Sequence, residues 1–468
     1  MYLSQHDVIT GAIVLATIII SLTIIELAVK NEWATKLVGR KLLHVIAICS
    51  CAFAIDRFEN ESLLLLLFLG FFFILLAVIN KGWMQVNTYK SYGIALFPLA
   101  FAVLLFFSSV INISNIVFSV LTLAICDALA GITGEYFGKK KICFLFEQKS
   151  WIGFAAFYLS CFVLAVIFFS KFSSMGFLCC GIIALVPALT ELFSYKGSDN
   201  LSVPIITAVW AYFILRLTDM EITYLFGALL IFLPLCIVAV HKKWLTISGA
   251  TAAMWMALLL FVCGGVKAFI APGLFLLSGS LLSKLNTNIK EKNGRNALQV
   301  FCNGIVGIIC LILFNFSNQQ VYLFAALVSF CVSMSDSVSS ELGTFFKGNT
   351  VDILSLKKTP VGISGGISWQ GTVAGLGGAF LLTAAALLTY QFSSIIFWQI
   401  SICGFAGMLV DSILGSLLQV KYSNASGVLI EDNEQGAVKT RGFSWCNNNM
   451  VNLLSNIIIT LLFILLQF

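Results

Sequence analysis

Two aspartates stand in long apolar runs with matching surroundings. Residues 126–141 read CDALAGITGEYFGKKK, and residues 335–348 read SDSVSSELGTFFKG. After Asp127 and after Asp336, a glycine follows at seven residues and a phenylalanine at ten. A carboxylate near the centre of a membrane helix costs about 2.5–3.5 kcal/mol on insertion scales, and the cost shrinks near an interface, where Asp127 falls. The alternative to a functional site is a helix-end residue that merely extends to water.

Small residues share a helix face with the first aspartate. Ala130, Gly131, Gly134 and Gly138 follow Asp127 at offsets of 3, 4, 7 and 11, which places them on one side of a helix. Such a face allows another helix or a ligand to approach closely. Close helix packing alone explains the glycines but not the carboxylate.

The second aspartate has oxygen donors beside it. Ser340 and Gly343 share a helix face with Asp336, and Glu341 lies on the adjacent edge. Carboxylates with hydroxyls suit Mg²⁺, which takes one or two carboxylates together with water and substrate phosphates. We therefore predict Asp336 and Glu341 as metal ligands. Zinc is disfavoured because the sequence has no His/Cys cluster.

Basic and glycine-rich segments near these carboxylates are candidate anion sites. In GRKLLH (39–44), Arg40 and His44 share a helix face beside a basic turn. The segment VGISGG (361–366) offers backbone N–H groups that can cradle an anion. No GxxxxGK[ST] sequence occurs, so a nucleotide would not be bound by a P-loop.

Composition places the whole chain in a membrane. Of 468 residues, 60% are hydrophobic and only 10% are charged, whereas soluble domains carry about 25% charged residues. The fourteen cysteines lie mostly in apolar runs and are interpreted as small reduced hydrophobic residues. The net charge of +6 comes mostly from loops, so no nucleic-acid partner is expected.

Apolar runs predict an all-α polytopic protein with about sixteen membrane helices, because about 20 apolar residues are needed per span. The predicted spans include 7–29, 115–137, 320–346 and 449–467. Lys and Arg collect in alternate loops, including 30–41, 138–149 and 347–358. This alternation predicts that the basic loops are cytoplasmic and that both termini lie outside. The expected location is the cell membrane, with the active sites on its cytoplasmic face.

Eight predicted helices lie in 1–218 and eight in 222–468, which favours two parallel eight-helix repeats. Asp127 and Asp336 would then occupy the fifth helix of each half. The likeness continues in KSWIG (149–153) and ISWQG (367–371), which open the sixth helices. Further matches are Glu191 with Asp411 on the seventh helices, and Asp199-Asn200 with Asn448-Asn449 before the eighth helices.

Five motifs occur in order in the first half: GRKLLH (39–44), CDALAGITGEYFGKK (126–140), KSWIGF (149–154), ALTELFS (188–194) and SDNLSVPI (198–205). The second half contains NGRNALQVFCNG (293–304), SDSVSSELG (335–343), KKTPVGISGGISWQGTVAGLGGA (357–379), VDSILGSLLQ (410–419) and NNNMVNLLS (447–455). On these motifs the first half resembles the polyprenol kinase family, which includes phytol kinase and dolichol kinase and is related to phosphatidate cytidylyltransferases. The second half resembles the phytyl-phosphate kinase family, with Ser337 where that family has threonine.

The resemblance implies a bifunctional isoprenoid kinase: prenyl alcohol to prenyl phosphate in 1–218, then to prenyl diphosphate in 222–468. It implies CTP or another nucleoside triphosphate, Mg²⁺ held by Asp127 and Asp336, and membrane-borne isoprenoid substrates among membrane lipids. The implied catalytic residues are Asp127, Asp336, Lys149, Lys358, Glu191 and Asp411. The implied nucleotide- or phosphate-binding residues are Arg40, Lys41, His44, Lys139, Lys140, Ser150, Asp199, Asn200, Arg295, Gly362, Gly365, Gly366, Asn448 and Asn449.

Two other functions fit parts of the sequence. A cytidylyltransferase shares the first-half motifs and would release pyrophosphate, where a CTP-dependent kinase releases CDP. A transporter would also use parallel repeats and intramembrane carboxylates. Against transport, the carboxylates cluster toward one face and not at the midplane.

Overall fold

The computed structural model describes residues 4–81, 93–139, 141–144, 147–171, 176–282, 294–423, 429–431 and 437–467. Within these residues the chain forms sixteen helical segments. Thirteen are long and apolar enough to cross a membrane, and three more are shorter apolar helices. The predicted all-α polytopic membrane fold is confirmed.

The first eight helices follow the predicted spans closely; the span predicted at 115–137, for example, is Ile113–Phe137. They are α1 Gln5–Lys30, α2 Lys36–Arg57, α3 Glu61–Asn80, α4 Gly93–Phe106, α5 Ile113–Phe137, α6 Trp151–Phe169, α7 Gly176–Phe193 and α8 Asp199–Ile214.

The second eight helices begin at Asp219. They are α9 Asp219–His241, α10 Ile247–Gly264, α11 Ile270–Leu282, α12 Ala297–Ser317, α13 Gln320–Phe345, α14 Trp369–Tyr390, α15 Ser394–Leu417 and α16 Asn448–Gln467. A 3₁₀ turn, Val266–Phe269, leads into α11.

Internal contacts divide the chain into two units, Met1–Leu229 and Leu230–Phe468. The division falls within α9. Each unit therefore holds most of one predicted half, whereas the separate identities of the two halves stay predictions.

Short antiparallel strands join the fifth and sixth helices in both units. In the first unit, β1 (Lys141–Phe144) pairs with β2 (Glu147–Ser150) between α5 and α6. In the second, β3 (Val351–Asp352) pairs with β4 (Gly366–Ile367) between α13 and α14. A three-stranded sheet of β5 (Lys421–Ser423), β6 (Leu429–Ile430) and β7 (Val438–Arg441) lies between α15 and α16.

A serine cap starts the sixth helix of each unit. Ser150 accepts a hydrogen bond from the N–H of Gly153 at 3.0 Å, and Ser368 accepts one from Gly371 at 3.2 Å. These side chains satisfy N–H groups that the first helical turn leaves without intrahelical partners.

The same cap packs against a glycine of the fifth helix in both units. A Cβ added at Gly134 would lie 2.9 Å from Ser150 Oγ. A Cβ added at Gly343 would lie 3.2 Å from the Cα of Gly371 and 3.3 Å from Ser368 Oγ. This repeated packing supports the predicted duplication, which itself stays a prediction.

We predict that Gly343→Val weakens the contact between α13 and α14, because the new side chain would enter occupied space. Overpacking of this kind costs about 1–3 kcal/mol, so the thermal unfolding midpoint in detergent should fall. Gly377→Val on α14 is the matched control, since nothing lies within 4 Å of a Cβ at Gly377. Equal losses for the two variants would contradict the packing described.

Candidate functional site

Asp127 is neutralised by a lysine from α2. The Nζ atom of Lys41 lies 2.8 Å from Oδ2 of Asp127, and the carboxylate is only 6% exposed. His44, one turn further along α2, places Nε2 at 3.6 Å from the same oxygen. Both contacts are made by Oδ2, and Oδ1 of Asp127 takes neither.

Two features of α5 allow this approach. A Cβ at Gly131 would lie 2.8 Å from Cε of Lys41, so the glycine gives the lysine its path across the helix. The turn Thr122–Cys126, directly before Asp127, is a π-helix, a widened turn found frequently at functional sites. The His44 ring makes a hydrogen bond with the backbone of Leu123 in that turn. The predicted face of small residues on α5 thus contacts Lys41 as well as α6.

A second ion pair lies beside the first. Lys149 Nζ at the end of β2 is 2.6 Å from Oε1 of Glu191 on α7, a residue only 7% exposed. Burial acts to lower the pKa of Lys149, but the carboxylates of Glu191, Asp199 and Asp127 together hold that pKa above its ordinary value. Lys149 therefore carries its charge at neutral pH, as the predicted phosphate-binding role requires.

Asp199 completes the cluster without a cation of its own. It is the first residue of α8, and its Oδ1 is buried with no hydrogen-bond partner among the described residues. It interacts electrostatically with Asp127, Lys149 and Glu191. Among the described residues of this cluster, three carboxylates thus face two lysines, which leaves one negative charge over.

Among the described residues, the other predicted site residues of the first unit are exposed or have other partners. Arg40 and Lys139 are exposed, and Lys140 lies outside the described residues. Ser150 is occupied as the cap of α6. The side-chain amide of Asn200 donates to the backbone carbonyl of the first residue of α4 at 2.9 Å, so it ties α8 to α4.

The second unit brings two carboxylates and an arginine together. Asp336 on α13 interacts electrostatically with Asp411 on α15 and with Arg295, which precedes α12. The Arg295 guanidinium lies 5.5 Å from the centre of the Phe275 ring. Its Nη1 is buried and, within the described part of the chain, has no hydrogen-bond partner. An unsatisfied buried cationic donor of this kind is costly.

Asp411 is held by hydroxyl and amide groups of α16. Ser455 Oγ donates to Asp411 Oδ2 at 3.0 Å, and the Asn452 amide, with its nitrogen assigned toward the carboxylate, lies 3.2 Å from the same oxygen. Sequence reasoning missed both residues. The signal was present, because Asn448, Asn452 and Ser455 recur at helical spacing in an otherwise apolar helix.

The polar contacts continue into the bundle. Ser329 donates to Oδ1 of Asn456 at 2.9 Å, Asn456 donates to Ser333 at 3.2 Å, and Ser333 donates to the backbone carbonyl of Asn303 at 2.8 Å. This network joins α12, α13 and α16 next to the carboxylates. The sequence analysis did not identify it.

The loop between α13 and α14 is held by a further cluster that was also missed. Asp352 accepts hydrogen bonds from Ser416 at 2.8 Å and from Arg441 at 3.1 Å. Burial acts to raise the pKa of Asp352, but hydrogen bonds from Ser355, Ser416 and Arg441 hold it well below its usual range. Burial also lowers the pKa of Lys421 to about 8.

The glycine-rich loop, residues 361–366, binds a carboxylate of the protein itself. Gly362 and Gly365 have φ of 85° and 83°, a left-handed conformation that favours glycine. Between them, the N–H of Ser364 donates to Glu431 at 2.6 Å, so a carboxylate of the chain occupies this donor. Gly366 lies in β4.

The remaining predicted residues of the second unit are exposed or half-buried. Lys358 and Asn448 are exposed, and Asn449 and Glu341 are half-buried. Lys358 does not correspond to Lys149: in the aligned motifs, Ile367 stands where the first unit has Lys149. The roles predicted for all these residues stay predictions.

The donor chemistry fits Mg²⁺ bound jointly by protein and substrate. Within the described residues, no group of three or more His, Cys, Asp or Glu converges as a complete metal site. Mg²⁺ commonly needs only one or two carboxylates, with substrate phosphates and water completing its shell. The uncompensated negative charge around Asp127 and the pair Asp336 and Asp411 meet that requirement.

Comparison with known proteins supports the resemblance to membrane prenyl kinases. Residues 230–460 match the family model described as integral membrane protein DUF92. The chain is also similar to individual proteins. Protein VTE6, chloroplastic, from Arabidopsis thaliana is 26% identical over 239 residues, covering 48% of this chain and 65% of that protein. Phytol kinase from Synechocystis sp. is 32% identical over 127 residues, covering 26% of this chain and 54% of that protein.

These similarities cover only part of this chain and part of each similar protein. The chain spans less than two thirds of VTE6 and little more than half of the phytol kinase. An uncharacterized membrane protein, MJ0933, from Methanocaldococcus jannaschii is 28% identical over 202 residues, covering 42% of this chain and 84% of that protein. No solved structure matches the chain. The fusion of two kinase families stays a prediction.

We predict that Lys41→Met destabilises the protein by about 3 kcal/mol, because it leaves the buried Asp127 charge without its partner. Adding Asp127→Asn should recover most of that loss, which a double-mutant cycle in denaturant would measure. Lys36→Met, at an exposed position of the same helix, is the control. A double variant as unstable as Lys41→Met alone would show that the pair is not coupled.

Proposed function

We propose that this chain is a multi-pass membrane kinase of isoprenoids that converts a prenyl alcohol to its phosphate and then to its diphosphate. The observation that best supports this proposal is that, in each unit, the carboxylate on the fifth helix lies in a cluster with a basic side chain. The similarity to a phytol kinase supports an isoprenoid acceptor. The phosphoryl donor would be CTP or another nucleoside triphosphate.

The clusters suit phosphoryl transfer, which needs positioning and charge neutralisation more than covalent chemistry by the protein. Asp127 in the first unit, and Asp336 with Asp411 in the second, would hold Mg²⁺, which neutralises charge on the transferred phosphoryl group. Lys149 and Arg295 would contact phosphate oxygens. The membrane supplies the apolar substrate to sites built between helices.

The two clusters differ in whether their cationic side chains are already paired, and this difference fits two different acceptors. In the first unit, Lys41 and Lys149 are both committed to carboxylates, which suits an uncharged hydroxyl acceptor. In the second unit, Arg295 keeps a donor without a protein partner among the described residues. An arginine with free N–H groups suits an acceptor that already carries a phosphate.

We place both sites at the cytoplasmic face of the cell membrane, where nucleotides are available. The support is the alternation of basic loops along the sequence. Two of these loops, 138–149 and 347–358, directly follow the helices that carry Asp127 and Asp336.

We predict that Asp127→Asn abolishes phosphorylation of the alcohol and spares phosphorylation of supplied prenyl monophosphate, whereas Asp336→Asn does the reverse. An amide cannot neutralise Mg²⁺ as a carboxylate does, so each rate should fall by roughly 10²-fold or more. The assay combines purified protein, CTP, Mg²⁺ and geranylgeraniol or its phosphate, with lipid products resolved by mass.

Asp56→Asn is the control for these variants, since Asp56 is exposed. Release of CDP fits a kinase, and release of pyrophosphate fits a cytidylyltransferase. Loss of both activities in either folded variant would mean one composite site, and loss of neither would make the aspartates structural.

We predict that Arg295→Gln raises KM for the prenyl monophosphate about 10- to 100-fold, because a hydrogen bond to a charged group contributes about 1.5–3 kcal/mol. Phosphorylation of the alcohol should not change. Lys267→Gln, at an exposed position of the same unit, is the control. An unchanged KM for the monophosphate would remove Arg295 from acceptor binding.

A further inference from the structure

We propose that Asp199 is the general base of the alcohol-phosphorylating site; this assignment rests on the function proposed above. The two phosphorylations make different demands on the protein. A hydroxyl must lose its proton as it attacks, which calls for a base within reach. A phosphate monoester has its second pKa near 6 and is largely dianionic at neutral pH, so its oxygen attacks without a protein base.

The structure distinguishes Asp199 from the other carboxylates of the first unit. Asp127 is paired with Lys41, and Glu191 is paired with Lys149. Asp199 has no such pair among the described residues, and its Oδ1 is buried without a hydrogen-bond partner. A carboxylate oxygen in that state is available to accept a proton.

The second unit lacks this group at the corresponding place. Asp199 is the first residue of α8, and Asn448 is the first residue of α16, the eighth helices of the two units. An amide cannot accept a proton from an acceptor at neutral pH. The titratable residue is therefore present only in the unit assigned to the acceptor that needs it.

Among the described residues, His44 is the other unpartnered group of the first cluster, since its Nε2 is also buried with no hydrogen-bond partner there. That nitrogen faces Oδ2 of Asp127 at 3.6 Å, and the ring is already bonded to the backbone of Leu123. His44 is thus directed at the Asp127 carboxylate, whereas Asp199 Oδ1 is directed at none of the protein's described donors.

In the proposed step, Oδ1 of Asp199 takes the proton of the acceptor hydroxyl. The hydroxyl oxygen forms its bond to the γ-phosphorus of the nucleoside triphosphate. The bond from that phosphorus to the β,γ-bridging oxygen breaks, and its electron pair leaves with the nucleoside diphosphate. The proton on Asp199 returns to water after product departs.

The test compares Asp199→Asn and Asp199→Glu with the unaltered protein, using geranylgeraniol, its monophosphate, CTP and Mg²⁺. We expect Asp199→Asn to lower kcat for the alcohol by 10²- to 10⁴-fold, with the KM for CTP within about threefold of the unaltered value. Phosphorylation of the monophosphate should be unchanged, and Asp199→Glu should recover part of the alcohol activity. Asp219→Asn is the matched control, an exposed aspartate at the first residue of α9.

The pH profile separates a base from a structural residue. In the unaltered protein, kcat for the alcohol should rise with pH until the base is ionised and then level off. That ionisation should be absent from the profile of Asp199→Asn. The assignment is overturned if the ionisation persists, if the alcohol rate falls less than tenfold, or if the monophosphate activity falls equally. An unaltered protein that phosphorylates neither substrate would instead reject the proposed kinase function.

Discussion

The rest of this structure depends on the cost of placing carboxylates among apolar helices. A charge removed from water loses its hydration, and only a nearby opposite charge or several hydrogen bonds can compensate. Asp127 obtains this from Lys41 at 2.8 Å. The glycines of α5 follow from the same need, because a side chain at Gly131 would block the lysine.

The two units compensate the burial of their carboxylates by different chemistry. The first uses ion pairs, Lys41 with Asp127 and Lys149 with Glu191. The second holds Asp411 with neutral groups, Ser455 and the Asn452 amide. Neutral donors orient a carboxylate and leave its charge available, whereas a lysine consumes it. In the second unit, Arg295 is the cation that faces Asp336.

The helices could be predicted from the sequence because membrane spans depend on local composition. The predicted spans 7–29, 320–346 and 449–467 differ from the helices Gln5–Lys30, Gln320–Phe345 and Asn448–Gln467 by only a few residues. The small face after Asp127 was also predictable, because helical periodicity fixes which residues share a side.

Partners in space were not predictable in the same way. Lys41 and Asp127 are 86 residues apart, and local pattern does not specify how α2 and α5 meet. Lys358, predicted as a catalytic residue, is exposed, and the arginine that faces Asp336 lies before α12 instead. Asn452 and Ser455 were not predicted as partners of Asp411, because neutral polar residues in an apolar helix do not by themselves indicate which carboxylate they contact.

The separation of Lys41 and Asp127 along the chain also constrains biogenesis. Helices enter the bilayer in order of synthesis, so α2 is inserted with Lys41 before α5 exists to meet it. Until then, the lysine lies near the end of its helix and can reach the headgroup region with its long side chain. When α5 arrives, its aspartate draws that amine inward across the glycine. Docking of the fifth helix is therefore the event that forms the ion pair between Lys41 and Asp127.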